Sequence, residues 1–130
     1  MPTDPTATTR TSRFSYSETI ATLSQAIVST GNALFATIDQ AAAAAKVGLQ
    51  LRPTTLIVFG NPKGGTPLMD AFPLTALELP LKLLVWEAEG TVNVSYVPAA
   101  GLAARYGVTG MESILQNMDR ALDALTGAVT

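Results

Sequence analysis

Thr54-Thr-Leu-Ile-Val-Phe59-Gly-Asn-Pro62-Lys-Gly-Gly-Thr-Pro67-Leu-Met69 is the stretch on which the fold turns. Its first six residues are β-branched or apolar on both faces, the pattern of a central strand. Asparagine, prolines, glycines, a lysine and a threonine follow at once. The strand therefore ends in a tightly specified turn, Gly60 to Thr66, that feeds a short helix predicted over Pro67 to Phe72. Pro67 suits the first helical turn, where its missing amide costs nothing, and Pro73 stops the helix. Backbone amides at such a place can converge on an anion or a polar ligand.

Downstream, Leu74 to Pro80 reads as a connector. Leu81 to Glu87 and Thr91 to Val97 then flank Ala88-Glu89-Gly90 as two strands around a hairpin turn. That pairing sets Val94 and Tyr96 opposite Leu84 and Trp86, an apolar patch suited to self-association. Two helices complete the chain, Pro98 to Tyr106 and Met111 to Leu125, the second with an apolar stripe of Ile114, Leu115, Met118, Leu122 and Leu125. Upstream, Thr8 to Phe14 reads as an edge strand. Ser15 and Glu18 form a capping box, and Ile20, Leu23, Ala26 and Ile27 line one helical face up to Gly31. Ala33 to Ile38 is a short strand. Asp39 closes it and caps an alanine-rich helix from Gln40 to Val47.

At 130 residues the chain is one domain by length, and no internal repeat is visible. Residues 1–9 read as disordered or loosely attached, and 10–127 as the single domain. Charged residues make up 14% of the chain, against ~25% in typical soluble domains. So little charge on a small domain points to apolar surface covered by a partner, and a homodimer is the simplest one. The net charge of −2 and the scattered positions of Lys46, Arg52, Lys63, Lys82, Arg105 and Arg120 disfavour nucleic acid. The chain has no cysteine and no histidine. Disulfides, thiolate chemistry, Cys/His zinc sites and imidazole acid–base chemistry are therefore excluded. No Asp-x-Asp cluster offers an oxygen-ligand metal site, and no cofactor is implied. A polar N-terminus and the lack of a long apolar run give a soluble cytoplasmic protein with no membrane partner as the expectation.

Several segments together resemble a known family. These are Phe35-Ala-Thr-Ile-Asp39 followed by alanines, Leu51-Arg-Pro-Thr-Thr-Leu-Ile-Val-Phe-Gly-Asn-Pro62, Gly65-Thr-Pro-Leu-Met69 and Leu79-Pro-Leu-Lys-Leu-Leu-Val-Trp-Glu87. They are similar to the bacterial and archaeal family called domain of unknown function 302, from about Phe14 to Leu125. The resemblance implies an α+β domain similar to TATA-box-binding-protein-like folds: an antiparallel sheet of about four to five strands with helices packed against it. It also implies small, self-associating proteins, and no established activity. Family members commonly carry Ile-Asp-His where this chain has Ile38-Asp39-Gln40, and Gln40 does not titrate.

The candidate ligand-binding residues are Asp39, Asn61, Lys63, Gly64, Gly65 and Thr66. The loop is not a Walker A sequence, because Lys63 precedes the second glycine of the turn rather than following it. It could still be a looser anion nest, with the amides of Gly64, Gly65 and Thr66, the Lys63 charge and the Thr66 hydroxyl. Plain turn chemistry, with glycines supplying positive φ and Lys63 solvated, is the preferred explanation, yet the loop remains the best place to look for a site. Asp39 is first of all a helix cap. The leading reading is a non-enzymatic homodimer that binds a small or anionic ligand near Gly60–Thr66. The alternatives are a hydrolase- or isomerase-like enzyme using Asp39 or Glu78 as base with Lys63 as electrostatic stabiliser, and a purely structural or interaction domain.

Overall fold

The computed structural model describes residues 6–130. Five strands form one antiparallel sheet: β1 (Thr8–Thr11), β2 (Ala33–Asp39), β3 (Thr54–Gly60), β4 (Leu81–Ala88) and β5 (Thr91–Tyr96). Their order in space is β1-β5-β4-β3-β2. The run from Thr54 is near the middle, between β2 and β4, as its apolar character on both faces requires. The five helices are α1 (Tyr16–Ser29), α2 (Gln40–Lys46), α3 (Pro62–Ala71), α4 (Gly101–Tyr106) and α5 (Glu112–Gly127), with one 3-10 turn over Pro73–Leu77. The protein is an α+β domain. β1 begins at Thr8, and residues 1–5 lie outside the described residues.

α1 and α5 cover one face of the sheet. Leu23 and Ile27 of α1, and Leu122 and Leu125 of α5, pack on Ile57, Phe59, Leu83, Val85 and Val94 in the main core. α1 starts where the sequence indicates: Ser15 Oγ accepts from the Glu18 amide at 3.2 Å. The Glu18 carboxylate returns to the Ser15 hydroxyl at 2.8 Å rather than to its amide. Gly31 follows the helix at φ 84°, the left-handed conformation that lets the chain reverse into β2. A second, smaller core joins Leu68 of α3, Leu102 of α4, and Leu115 and Met118 of α5. It lies beyond the main core and holds α3 beside α5.

The hairpin between β4 and β5 is one residue tighter than its sequence suggests. Ala88 pairs with Thr91, which leaves only Glu89 and Gly90 in the turn, at φ 54° and 79°. Two positive φ values make a type I′ turn, whose twist matches that of the strands. Changing the turn by one residue moves every side chain to the other face. Val94 thus pairs with Val85 in the core, while Leu84 stands opposite Ser95 and Trp86 opposite Asn93. The expected patch of Val94 and Tyr96 with Leu84 and Trp86 does not form. Glu89 is the one non-glycine residue with positive φ among the described residues. Glu89→Asn, which tolerates that conformation, should raise stability by roughly 0.5–1 kcal/mol in urea unfolding.

Candidate functional site

The Asn-Pro-Lys-Gly-Gly segment is not a loop. Asn61 caps α3, Pro62 takes the first helical position, and Pro67, expected to begin the helix, lies inside it. Asn61 is among the preferred cap residues and proline is pre-shaped for the position after it, so the helix starts five residues early. This start consumes the donors that would make an anion nest. The Lys63 amide donates to Asn61 Oδ1 at 3.0 Å. The amides of Gly64 and Gly65 both donate to the Asn61 carbonyl at 2.9 Å. Pro62 has no amide to offer. Every backbone donor of the first turn is thus absent or engaged, and the helix end presents no free amide to an anion.

The glycines have another role. None of Gly60, Gly64 and Gly65 has positive φ, so backbone conformation does not require them, contrary to the turn-chemistry expectation. All three border a cleft of about 390 Å³ between the β2–β3 edge, α3 and α5. A methyl group built on Gly60 would come within 3.6 Å of the Phe35 ring and of Pro80, and one on Gly64 would meet nothing within 4 Å. Apolar walls come from Phe35, Met69, Leu79, Ile114 and Met118. Polar groups come from Asn32, Asn61, Asn117 and Thr66, and no charged residue lines the cleft. Asn32 Nδ2 donates to Thr30 Oγ1 and Asn117 Oδ1 accepts from Arg120 Nη1, each at 3.0 Å. The remaining Oδ1 of Asn32 and Nδ2 of Asn61 and of Asn117 have no protein partner among the described residues. With the Thr66 hydroxyl, for which the same holds, one amide oxygen, two amide nitrogens and one hydroxyl are left for a guest.

The candidate residues separate in space. Asn61, Gly64, Gly65 and Thr66 line the cleft, whereas Lys63 and Asp39 do not. Asp39 accepts the Ala42 amide at 2.9 Å as cap of α2, and Gln40 is the exposed first residue of that helix. The cleft residues of α5 carry no signal in the sequence beyond helical periodicity. Their approach to α3 is a product of packing.

Glu78 is held elsewhere. Its Oε1 accepts from Arg105 Nη1 at 2.7 Å and from the Tyr106 hydroxyl at 2.8 Å, joining the end of the 3-10 turn to α4. The Tyr106 hydrogen bond first, and the Arg105 guanidinium second, hold its carboxyl below the ordinary value of 4.5. Glu78 in turn raises the Tyr106 hydroxyl above its ordinary value. A carboxyl depressed in the folded state contributes stability above its unfolded value and loses it as pH falls through the folded one. The melting temperature of Glu78→Gln should therefore approach that of the unaltered protein as pH drops below about 4.5. Melting curves that stay parallel down to acid pH would rule out this coupling. Among the described residues, no three acidic side chains come together as a metal site.

Comparison with known proteins agrees with the architecture. The crystal structure of an uncharacterised conserved DUF302 protein from Bacillus stearothermophilus superposes with a TM-score of 0.89 at 18% identity, covering 98% of this chain and 100% of that one. Over 123 residues the chain is 39% identical to fluoride-specific ion channel FluC 1 of Brucella suis biovar 1, covering 92% of this chain and 46% of that protein. The match to FluC 1 of Brucella abortus biovar 1 has the same identity and covers 43% of that protein. The chain thus spans less than half the length of these curated relatives. No described helix is long and apolar enough to cross a membrane. Residues 8–125 match the family described as domain of unknown function DUF302, and the chain belongs to that family.

Proposed function

We propose that this domain binds a small, uncharged, largely apolar molecule bearing an amide- or hydroxyl-type group, in the cleft between α3 and α5. The observation that carries this reading is a charge-free cleft floored by glycines that the backbone does not need. Glycine inside a helix costs about 1 kcal/mol relative to alanine, so two adjacent glycines in α3 are a burden unless side chains must be kept out. The volume lies in the usual range of small-ligand sites, about 300–1,000 Å³. An anionic ligand fits less well, since the helix amides are engaged and Lys63 is outside the lining. The base-catalysis alternative is also less favoured: Asp39 and Glu78 are both committed to other partners, and neither meets Lys63 in the cleft.

The test is thermal shift against neutral apolar amides and alcohols alongside phosphorylated and acidic molecules. A saturable rise in melting temperature with the neutral set is the expected result. A response confined to phosphorylated molecules would falsify the proposal, as would no response at all.

The proposal includes a second copy of the chain as partner. Among the described residues, six of the ten exposed large apolar side chains fall within residues 34–51: Leu34, Phe35, Ile38, Val47, Leu49 and Leu51. Three of them are on β2, a seven-residue strand at the edge of the sheet. Such an edge presents unpaired amides and carbonyls, and it carries neither lysine nor proline to guard it. The partner that fits is another β2, antiparallel, extending the sheet across a two-fold axis. Light scattering at tens of micromolar should give twice the chain mass, and Ile38→Lys should give the single mass. A monomer in the unaltered protein rejects the interface.

A further inference from the structure

A second hollow, of about 460 Å³, lies at the start of β4, where the 3-10 turn and α4 meet the sheet face that α1 and α5 leave open. Its apolar lining includes Leu56, Leu84 and Leu77. Leu56, Leu84 and Ser95 form one cross-strand row, and Thr9 continues it next to Ser95. Unlike the glycine-floored cleft, this hollow is charged. Lys82, Arg105 and Glu78 all line it, two cations against one carboxylate, for a net charge of +1.

The cations are held in place without being used up. Lys82 Nζ donates to the carbonyls of Glu78 at 2.9 Å and Pro80 at 3.1 Å. An ammonium has three hydrogens, so one is left. Arg105 gives Nη1 to Glu78 and keeps its other guanidinium hydrogens. Its side chain is 43% exposed, so those hydrogens remain reachable. Glu78, fixed by Tyr106 as well, acts as a positioning residue for the guanidinium. The polar side chains that adjoin the hollow on the sheet face, Ser95, Trp86 and Thr9, satisfy one another. Trp86 Nε1 donates to Ser95 Oγ at 2.9 Å, and Ser95 Oγ bonds Thr9 Oγ1 at 2.8 Å. Covering these three side chains with an apolar chain therefore leaves the indole N–H and both hydroxyls with a hydrogen-bond partner.

We infer that this hollow is a second binding site, for an amphipathic monoanion of the alkyl carboxylate class. The alkyl body lies on Leu56 and Leu84, and the carboxylate is held by Arg105 and Lys82. Charge-assisted hydrogen bonds of this kind set the orientation and make the head group decisive. The site differs from the neutral-ligand cleft, which has no charged lining, although the two share Leu79 and Leu81 as a common wall.

The protein supplies its own reporter, since it has one tryptophan and Trp86 is bonded to Ser95 at the rim. Titration with decanoate should change its fluorescence saturably. Decan-1-ol, the same chain without the charge, should bind at least about tenfold more weakly, and raising the salt concentration should weaken only decanoate. Arg105→Gln and Lys82→Gln should each weaken decanoate to a similar extent while leaving decan-1-ol unchanged. Equal affinities for the acid and the alcohol in the unaltered protein overturn the assignment. So does unaltered decanoate affinity in either variant, or no saturable change below the concentration at which decanoate forms micelles.

Discussion

Phe59→Ala should lower the unfolding free energy by about 3–5 kcal/mol. Phe59 is the largest fully buried side chain, at 0% exposure, and it closes the central strand against α1 and α5. Removing the ring gives up its transfer free energy and leaves a cavity that the rigid sheet cannot collapse into. Domains of this kind have about 5–15 kcal/mol in total, so the variant should sit near the edge of folding. Urea unfolding should show a midpoint far below that of the unaltered protein with a similar slope. Phe35→Ala is the internal control. That ring is 53% exposed on β2 of a single copy, so at concentrations low enough to keep the chain monomeric its loss should cost less than about 1 kcal/mol. It should nevertheless weaken any ligand held in the glycine-floored cleft, where the ring forms a wall. A small stability change for Phe59→Ala would mean that the packing described for the main core is wrong.

Gly64→Leu should separate stability from binding. A built Cβ at Gly64 meets nothing within 4 Å, and leucine is a far better helix former than glycine, by roughly 0.8 kcal/mol. The variant should therefore melt at or above the temperature of the unaltered protein. Its side chain, however, would occupy the cleft that Gly64 borders. Each 1.4 kcal/mol of excluded contact is a factor of ten, so affinity for a neutral guest should fall at least about tenfold. Most single substitutions destabilise, and one that stabilises the fold while removing binding is hard to explain except by a site. If Gly64→Leu binds as well as the unaltered protein, the cleft is not where the ligand resides.

Short-range chemistry accounts for what was legible in advance. Ser15 and Asp39 cap helices, Gly31 ends one, and the run from Thr54 is a central strand, because caps, left-handed glycines and apolar runs act over a few residues. The misread segments were those where two local signals compete. Pro67 resembles a helix start, but Asn61-Pro62 is an equally good one, and the early start prevails because α3 then buries Leu68 beside α4 and α5. Glu89-Gly90 and Ala88-Glu89-Gly90 are both plausible turns. The two-residue form wins because it puts Val94 against Val85 inside the core.

The sequence alone determined the helix limits set by caps and the poverty in titrating groups, since each is a property of neighbouring residues or of composition. The antiparallel α+β class followed from the resemblance of its segments to a known family. Only the tertiary structure decided where the glycines of the Asn61 segment point, which face Trp86 occupies, and which helix closes the cleft. Those outcomes depend on residues as far apart as Asn61 and Asn117 meeting across α3 and α5. Such meetings are selected by the total apolar surface buried, a sum over the whole chain that no local pattern contains.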